Sequence, residues 1–286
     1  MKLTDTHSHL YDTAFDADRE EALARAAAAG VEHLLLPGID SESHGALFDL
    51  CRCHPGQCVP MMGLHPTSVN DNPHWREELA LAERYLTAPP EGIARFCAVG
   101  EIGLDYYWSG EFVAEQVEAF VSQCRLAARL GLPVAIHTRA AWDDMCRIIG
   151  EEATAAAEAG RRLRGVFHAF SEDAVTYRKL KACGDFAFGI GGVVTFRKSK
   201  LADTVREMEL DDIVLETDCP YLTPAPHRGE RNDSSFLQYT AAAIAAMRGT
   251  GTDRCREIFN AAIPGGLYDT AHDLRLRYAD EVIAAN

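Results

Sequence analysis

The sequence lacks any apolar run of the roughly 18 residues that a membrane-spanning helix needs. Its first residues, Met1 to Asp5, likewise contain no apolar segment of the kind that predicts a secretory signal peptide. Low-complexity tracts and internal repeats are also missing from the sequence. We therefore expect a cytoplasmic protein without a membrane partner.

Basic residues are fewer than acidic ones. The chain of 286 residues has 28 Lys and Arg against 43 Asp and Glu, which gives a formal net charge of −15. Proteins that hold duplex DNA mainly through its phosphates are basic, because that binding depends on phosphate neutralisation. The charge therefore argues against binding of long duplexes, and any nucleic-acid contact has to be local or bridged by bound cations.

Cysteine is present nine times, an odd number spread along the chain. A small secreted domain held by disulfides typically has an even set in a much shorter chain, so reduced thiols are expected here. The segment Cys51–Cys58 invites a zinc interpretation, but no second cysteine pair completes a tetrahedral site. We interpret its thiols as packing and surface groups, and we assign no nucleophilic role to Cys219.

Short apolar segments alternate with longer amphipathic ones from one end of the chain to the other. Segments with Val, Ile, Leu or Phe on successive positions are typical of strands that are buried on both faces of a parallel sheet. Between them lie helical patterns, of which the eighth is expected at Ser234–Arg248. The eight predicted strands are Leu3–His7, Glu32–Leu36, Val59–Gly63, Phe96–Glu101, Val134–His137, Val166–His168, Phe186–Ile190 and Ile213–Glu216.

Eight strands that are each followed by a helix predict an α/β fold, most economically a closed (β/α)8 TIM barrel of about the usual ~250 residues. An open, doubly wound sheet is the alternative, because periodicity does not reveal whether a sheet closes. No linker divides the chain, so we expect a single domain over residues 1–286. The part after Thr252 is expected to form an extra C-terminal helical segment outside the barrel.

Polar side chains recur where the predicted strands end. In a barrel, that carboxyl-terminal face is where active sites are built. His7 and His9 are two residues apart, so both side chains can point into the barrel mouth. The complete set of six such side chains is His7, His9, Glu101, His137, His168 and Asp218.

Four imidazoles and two carboxylates that converge on one mouth suit first-row divalent metal ions. Any one of these side chains alone would more often be a hydrogen-bonded core residue, but buried His, Asp and Glu are costly unless they are paired or bind a metal. Six ligands are too many for one catalytic ion that keeps an open position. Two ions about 3.5–4 Å apart would use them all, with Glu101 as the natural bridge.

The sequence resembles the TatD family of metal-dependent deoxyribonucleases, a branch of the amidohydrolase-like TIM barrels. The resemblance covers nearly the whole chain, with its segments in order. Related urease-like barrels place a carbamylated lysine on the fourth strand, where this chain has Glu101, as the TatD branch does. The matching segments are Asp5–His9, Gly63–Pro66, Val99–Tyr107, Pro133–Arg139, Phe167–Ser171, Leu215–Asp218 with Pro220–Leu222, and His227–Asn232.

This resemblance implies a particular sharing of the ligands between two ions. One ion would be held by His7, His9, Glu101 and Asp218, and the other by Glu101, His137 and His168. It also implies 3′-to-5′ exonuclease action on DNA, with RNA as a further candidate substrate and Mg²⁺ or Mn²⁺ as the working ions. The histidine-rich shell would equally take Zn²⁺.

Three further residues are predicted to contact substrate. His65 follows the third predicted strand, Arg139 lies two residues past a predicted ligand, and His227 lies in a basic loop after the eighth strand. An arginine so placed can bind a phosphate oxygen. His65 could instead cap a turn before Pro66. The run Tyr106–Trp108 either stacks an unpaired base or lines the barrel rim.

We thus expect a metal-dependent phosphodiesterase that acts on single-stranded DNA or nucleic-acid ends, in which Asp218 orients the attacking water and accepts its proton. A different hydrolase on the same scaffold, such as an amidase, deaminase, lactonase or phosphotriesterase, is the first alternative, because a fold does not fix its substrate. A non-catalytic metal-binding barrel is the second. We expect a monomer without an obligate protein partner.

Overall fold

A computed structural model describes residues 3–249 and 251. Eight parallel strands and eight α-helices alternate along this part of the chain. The strands are β1 (Leu3–Asp5), β2 (Val31–Leu36), β3 (Cys58–Pro60), β4 (Val99–Asp105), β5 (Val134–Arg139), β6 (Arg164–Phe167), β7 (Asp185–Ile190) and β8 (Ile213–Leu215). The helices are α1 (Arg19–Ala28), α2 (Ser41–Cys53), α3 (Trp75–Thr87), α4 (Val113–Leu130), α5 (Trp142–Glu158), α6 (Ala174–Ala182), α7 (Leu201–Glu207) and α8 (Leu237–Arg248).

The strands pair in chain order in two runs, β1–β2–β3 and β4 through β8. Backbone hydrogen bonds join the two runs at both junctions. Between β3 and β4, the amide of Gly100 donates to the carbonyl of Met62 at 3.0 Å. Between β8 and β1, the amide of Thr6 donates to the carbonyl of Leu215 at 3.0 Å. The sheet therefore closes into a barrel, as predicted, and the open doubly wound alternative is wrong.

The strand bounds differ from the sequence prediction mainly at the fourth strand. Predicted to end at Glu101, β4 continues to Asp105, because its pairing with β5 runs on through Gly103 and Leu104. Glu101 therefore lies within the strand rather than at its end, and His137 likewise lies inside β5. The third strand is shorter than predicted. The eighth helix begins at Leu237, after a 3-10 turn over Ser234–Phe236.

The main core lies between the barrel and its helices. Along α4, Phe120, Cys124 and Ala127 are buried on one face, and Gly131 ends the helix in the left-handed conformation that favours glycine. Inside the barrel, a second apolar cluster lies beneath the polar mouth; it consists of Leu35, Val59, Met61, Cys97, Ala98 and Ala135. The mouth is therefore a pocket with an apolar floor.

No helix in the described part of the chain is both long and apolar enough to cross a membrane. The expected C-terminal helical segment after Thr252 lies outside the described residues.

Candidate metal centre

The carboxylate of Glu101 lies at the centre of the barrel mouth, and its two oxygens face different histidines. Oε2 is 3.1 Å from Nε2 of His7 and 3.9 Å from Nε2 of His9. Oε1 is 3.1 Å from Nδ1 of His137 and 3.6 Å from Nε2 of His168. Glu101 thus has histidines at both of its oxygens. Among the described residues, the groups spaced closely enough to share one ion are His7–Glu101–His168, His7–His9–Asp218 and His65–Glu101–His137, so the spacing does not reproduce the predicted pairing of His137 with His168.

Asp218 completes the cluster from the loop after β8. Its Oδ1 lies 3.4 Å from Nε2 of His9 and 3.7 Å from Nε2 of His168. The backbone of Asp218 has φ 57°, which is unfavourable for a residue with a side chain. A hydrogen bond from the Asp218 amide to the carbonyl of His7, at 2.9 Å, helps to hold that conformation. All six predicted ligands therefore meet in one pocket.

For three of the four predicted histidine ligands, the ring nitrogen that points away from the centre has a neighbour of its own. Nδ1 of His9 lies 3.0 Å from the hydroxyl of Tyr11, and that hydroxyl donates its hydrogen to the carbonyl of Pro37 at 2.7 Å. The oxygen of Tyr11 can then only accept, so Nδ1 of His9 carries the proton. This leaves the lone pair of Nε2 directed at the centre.

Two more histidines are held by buried carboxylates. Nε2 of His137 is 3.0 Å from Oδ2 of Asp105, and Nδ1 of His168 is 3.2 Å from Oε1 of Glu216. Partners of this kind orient imidazoles that bind metals and raise their basicity. The remaining nitrogens, Nδ1 of His137 and Nε2 of His168, face Glu101. The donor set and its orientation therefore fit divalent cations.

His65 also lies close to the Glu101 carboxylate, but its hydrogen bonding differs from that of the other histidines. Its Nε2 lies 3.6 Å from Oε1 of Glu101, and with Glu101 and His137 it forms a group whose spacing would suit an ion. However, Nδ1 of His65 accepts the backbone N–H of Thr67 at 3.2 Å. Burial lowers the pKa of His65, which favours the neutral ring. Its one proton is then on Nε2, so His65 faces the centre as a hydrogen-bond donor rather than as a ligand.

Charges in the pocket keep its carboxylates ionised. Burial opposes ionisation of Glu101, but the surrounding imidazoles, His7 first among them, lower its pKa well below the usual range. Burial likewise opposes ionisation of Asp218, and His168 chiefly reverses the effect, so that the pKa of Asp218 is lowered. For His168, burial favours the neutral ring, but Glu216, Asp218 and Glu101 raise its pKa to about 10.

Two glutamines of α4 were missed by the sequence reasoning. The side chain of Gln116 accepts from the amide of Asp105 at 2.8 Å and donates to its carbonyl at 2.9 Å. Gln123 makes the same pair of bonds to the backbone of Leu64, next to His65, at 2.8 and 3.1 Å. Both glutamines are buried on a helix face that is otherwise apolar, and their seven-residue spacing was the available signal.

The other two predicted substrate contacts lie on the rim. Arg139 ends β5, and its guanidinium carbon lies 3.7 Å from the ring centroid of Tyr107. His227 stacks on Phe236 with 4.4 Å between centroids, and its Nδ1 lies 3.1 Å from the carboxylate of Glu230. The His227 ring is thus held by protein groups outside the cluster of predicted metal ligands. Its contact with substrate stays a prediction.

Comparison with known proteins decides the family. The sequence profile of TatD-related DNases matches residues 4–264. The chain belongs to the TatD family. An uncharacterized metal-dependent hydrolase of Bacillus subtilis, YabD, is 33% identical over 251 residues, which cover 86% of this chain and 91% of that protein. A TatD protein of Erwinia billingiae, named a 3′-5′ ssDNA/RNA exonuclease, is 30% identical and covers 84% of this chain and 89% of its own.

Among solved structures, the TatD homologue YJJV of Escherichia coli K12 superposes with a TM-score of 0.79 and 26% identity, over 91% of this chain and 96% of that one. The TatD resemblance, the TIM barrel and the assignment to metal-dependent hydrolases are thereby confirmed.

Proposed function

We propose that this TatD-family hydrolase is a phosphodiesterase that removes nucleotides from the 3′ end of single-stranded DNA, with RNA as a further substrate. The observation that carries the proposal is the position of the Glu101 carboxylate, which has one oxygen 3.1 Å from Nε2 of His7 and the other 3.1 Å from Nδ1 of His137. A carboxylate so placed suits a pair of ions, and pairs of ions are typical of phosphodiester hydrolysis. The name of the Erwinia billingiae relative supports the substrate and the polarity.

The proposed ligands are shared as the resemblance implied. His7, His9, Glu101 and Asp218 would hold one ion, and Glu101, His137 and His168 the other. Bound divalent ions supply Lewis acidity, which activates water and neutralises charge on phosphoryl oxygens. Imidazole-rich donors suit Mn²⁺ and Zn²⁺, while the carboxylates also suit Mg²⁺.

The chain's own side chains would do the rest of the chemistry. Asp218 is ionised and partly open to solvent, so an oxygen of its carboxylate can accept the proton of the attacking water. Nε2–H of His65 would donate to a phosphoryl oxygen, and the guanidinium of Arg139 would bind a second one. Donors aimed at the oxygens where charge develops are a large source of rate acceleration.

The proposed ions also explain how a protein with a net charge of −15 could bind a nucleic acid. A cleft whose positive charge comes from bound ions does not need a basic protein surface. Such a cleft favours a single strand or an end that enters the mouth over a long duplex that lies across the surface.

The test is digestion of a single-stranded oligonucleotide by the purified protein with added Mg²⁺, Mn²⁺ or Zn²⁺. With a 5′ label, we expect a ladder of shortened products; with a 3′ label, labelled mononucleotide from the earliest times. The same preparation should leave lactone, amide and phosphotriester substrates intact. Hydrolysis of one of those without nuclease activity would show a different hydrolase, and metal binding without hydrolysis of any substrate would show a non-catalytic barrel.

A further inference from the structure

Exposed aromatic rings flank the metal pocket. In the described part of the chain, four large hydrophobic side chains are exposed, and the three aromatic ones are Tyr107, Trp108 and Tyr221, at 58%, 66% and 57%. Tyr107 and Trp108 directly follow β4, the strand of Glu101. Tyr221 follows Asp218 by three residues. Aromatic side chains that are exposed together beside a pocket are typical of binding surfaces.

Arg139 joins the first two rings into one surface. Its guanidinium carbon lies 3.7 Å from the centroid of Tyr107 and 5.4 Å from that of Trp108. The two rings are nearly perpendicular, with centroids 5.0 Å apart. Together these three residues, the rim cradle, offer flat rings to an aromatic ligand and a cation to the phosphate beside it.

The rim cradle is tied to the metal pocket through one carboxylate. Oδ1 of Asp105 accepts the backbone N–H of Tyr107 at 3.0 Å, while Oδ2 lies 3.0 Å from Nε2 of His137. The same side chain therefore links the backbone of Tyr107 to a predicted ligand, which places the base of the rim cradle next to the pocket.

We propose that the rim cradle binds an unpaired nucleobase and its phosphate next to the metal pocket, which rests on the proposed function. Every base has a flat face, so stacking of this kind accepts any sequence but requires bases that are not paired. Tyr221 lies across the mouth, since strands four apart in an eight-stranded barrel are opposite. Its ring centroid is 6.4 Å from that of His9. A single DNA strand that crosses the mouth would therefore meet an aromatic ring on either side.

Fluorescence tests this proposal directly. The chain has three tryptophans, and Trp75 is 4% exposed and Trp142 partly buried, whereas Trp108 is open to solvent. We would titrate the metal-loaded protein with a thymidine oligomer whose phosphorothioate links resist hydrolysis. An abasic oligomer with the same links is the control. The thymidine oligomer should quench the emission and bind at least about tenfold tighter than the abasic one.

Kinetics with hydrolysable oligonucleotides give a second readout. Trp108→Ala should raise KM for single-stranded DNA about tenfold and leave kcat within about twofold, and Trp108→Phe should restore most of the loss. The control Val175→Ala removes an exposed apolar side chain from α6 and should change neither constant.

The outcomes separate this proposal from the proposed function. Equal binding of the thymidine and abasic oligomers, or an unchanged KM in Trp108→Ala, would overturn the rim cradle even if the protein is a nuclease. Base-dependent quenching would support the cradle even if phosphodiester links are not hydrolysed.

Discussion

Gly189 leaves the space that the carboxylate of Glu216 occupies, since a Cβ at position 189 would overlap its Oε2. The other oxygen, Oε1, accepts the amide of Ala169 at 2.6 Å and lies 3.2 Å from Nδ1 of His168. A glycine on β7 therefore helps to determine where His168, the predicted ligand that directly follows β6, points.

Gly189→Ala should displace Glu216 and leave His168 without its partner. Loss of such a partner typically lowers metal affinity about 10- to 100-fold. Competition with a chelator would measure the effect. Gly191→Ala is the matched control, because its Cβ would also face Glu216 but would approach it no closer than 3.4 Å, at the backbone oxygen, so the carboxylate keeps its place.

Glu216→Gln removes the charge without adding bulk and should lower the affinity in the same direction, which guards against a simple folding defect in Gly189→Ala. If Gly189→Ala and Gly191→Ala bind metal equally well, Glu216 does not position His168.

His65 and His137 should respond differently to truncation, because we propose the first as a hydrogen-bond donor and the second as a metal ligand. His65→Ala should keep the metal content of the wild type and lower kcat/KM about 10- to 100-fold, the typical loss of a hydrogen bond to a charged group. His137→Ala should lose metal as well as activity. Elemental analysis beside kinetics on single-stranded DNA tests both, and loss of metal from His65→Ala would show that His65 is a ligand.

Asp218→Asn should separate metal binding from turnover. The amide oxygen can still bind a cation, but the side chain no longer accepts a proton, so we expect most of the metal to remain and kcat to fall about 10²- to 10⁴-fold. Metal content and kcat would be measured on the same preparation. Losses of metal and rate in equal proportion would argue against a role as base.

Cys219 should be inert although it follows Asp218. Burial, reinforced by the charge of Asp5, raises the pKa of the Cys219 thiol to about 12, so below that pH it remains protonated and a poor nucleophile. Iodoacetamide at pH 8 should modify the exposed Cys53 and spare Cys219, as peptide mapping would reveal. Rapid alkylation of Cys219 would show that the loop after β8 opens.

The sequence was sufficient to predict the barrel and its six converging side chains, because strand periodicity and position are local properties. His7 and His9 are two residues apart and so share a face, which needs no tertiary information. The same spacing links Glu216 to Asp218, and Glu216 could have been found by the same argument. In the sequence prediction, Glu216 is only the last residue of the eighth strand.

Other parts of the pocket depend on contacts between distant segments. Asp105 contacts His137 because β4 continues past Glu101 alongside β5. The sequence predicts that this strand ends at Glu101, because a polar residue interrupts the apolar segment there. The expectation that His65 could cap a turn is met, because its Nδ1 accepts the backbone N–H of Thr67, whereas the approach of its Nε2 to Glu101 depends on how the loop after β3 packs against β4.

The central claim is that Glu101 joins two ions, and electron paramagnetic resonance of the protein loaded with two equivalents of Mn²⁺ tests it most directly. We expect the spectrum of an exchange-coupled manganese pair in the wild type, and its loss in Glu101→Gln together with nuclease activity. A wild-type spectrum that contains only isolated Mn²⁺, or a coupled pair that persists in Glu101→Gln, would contradict the account.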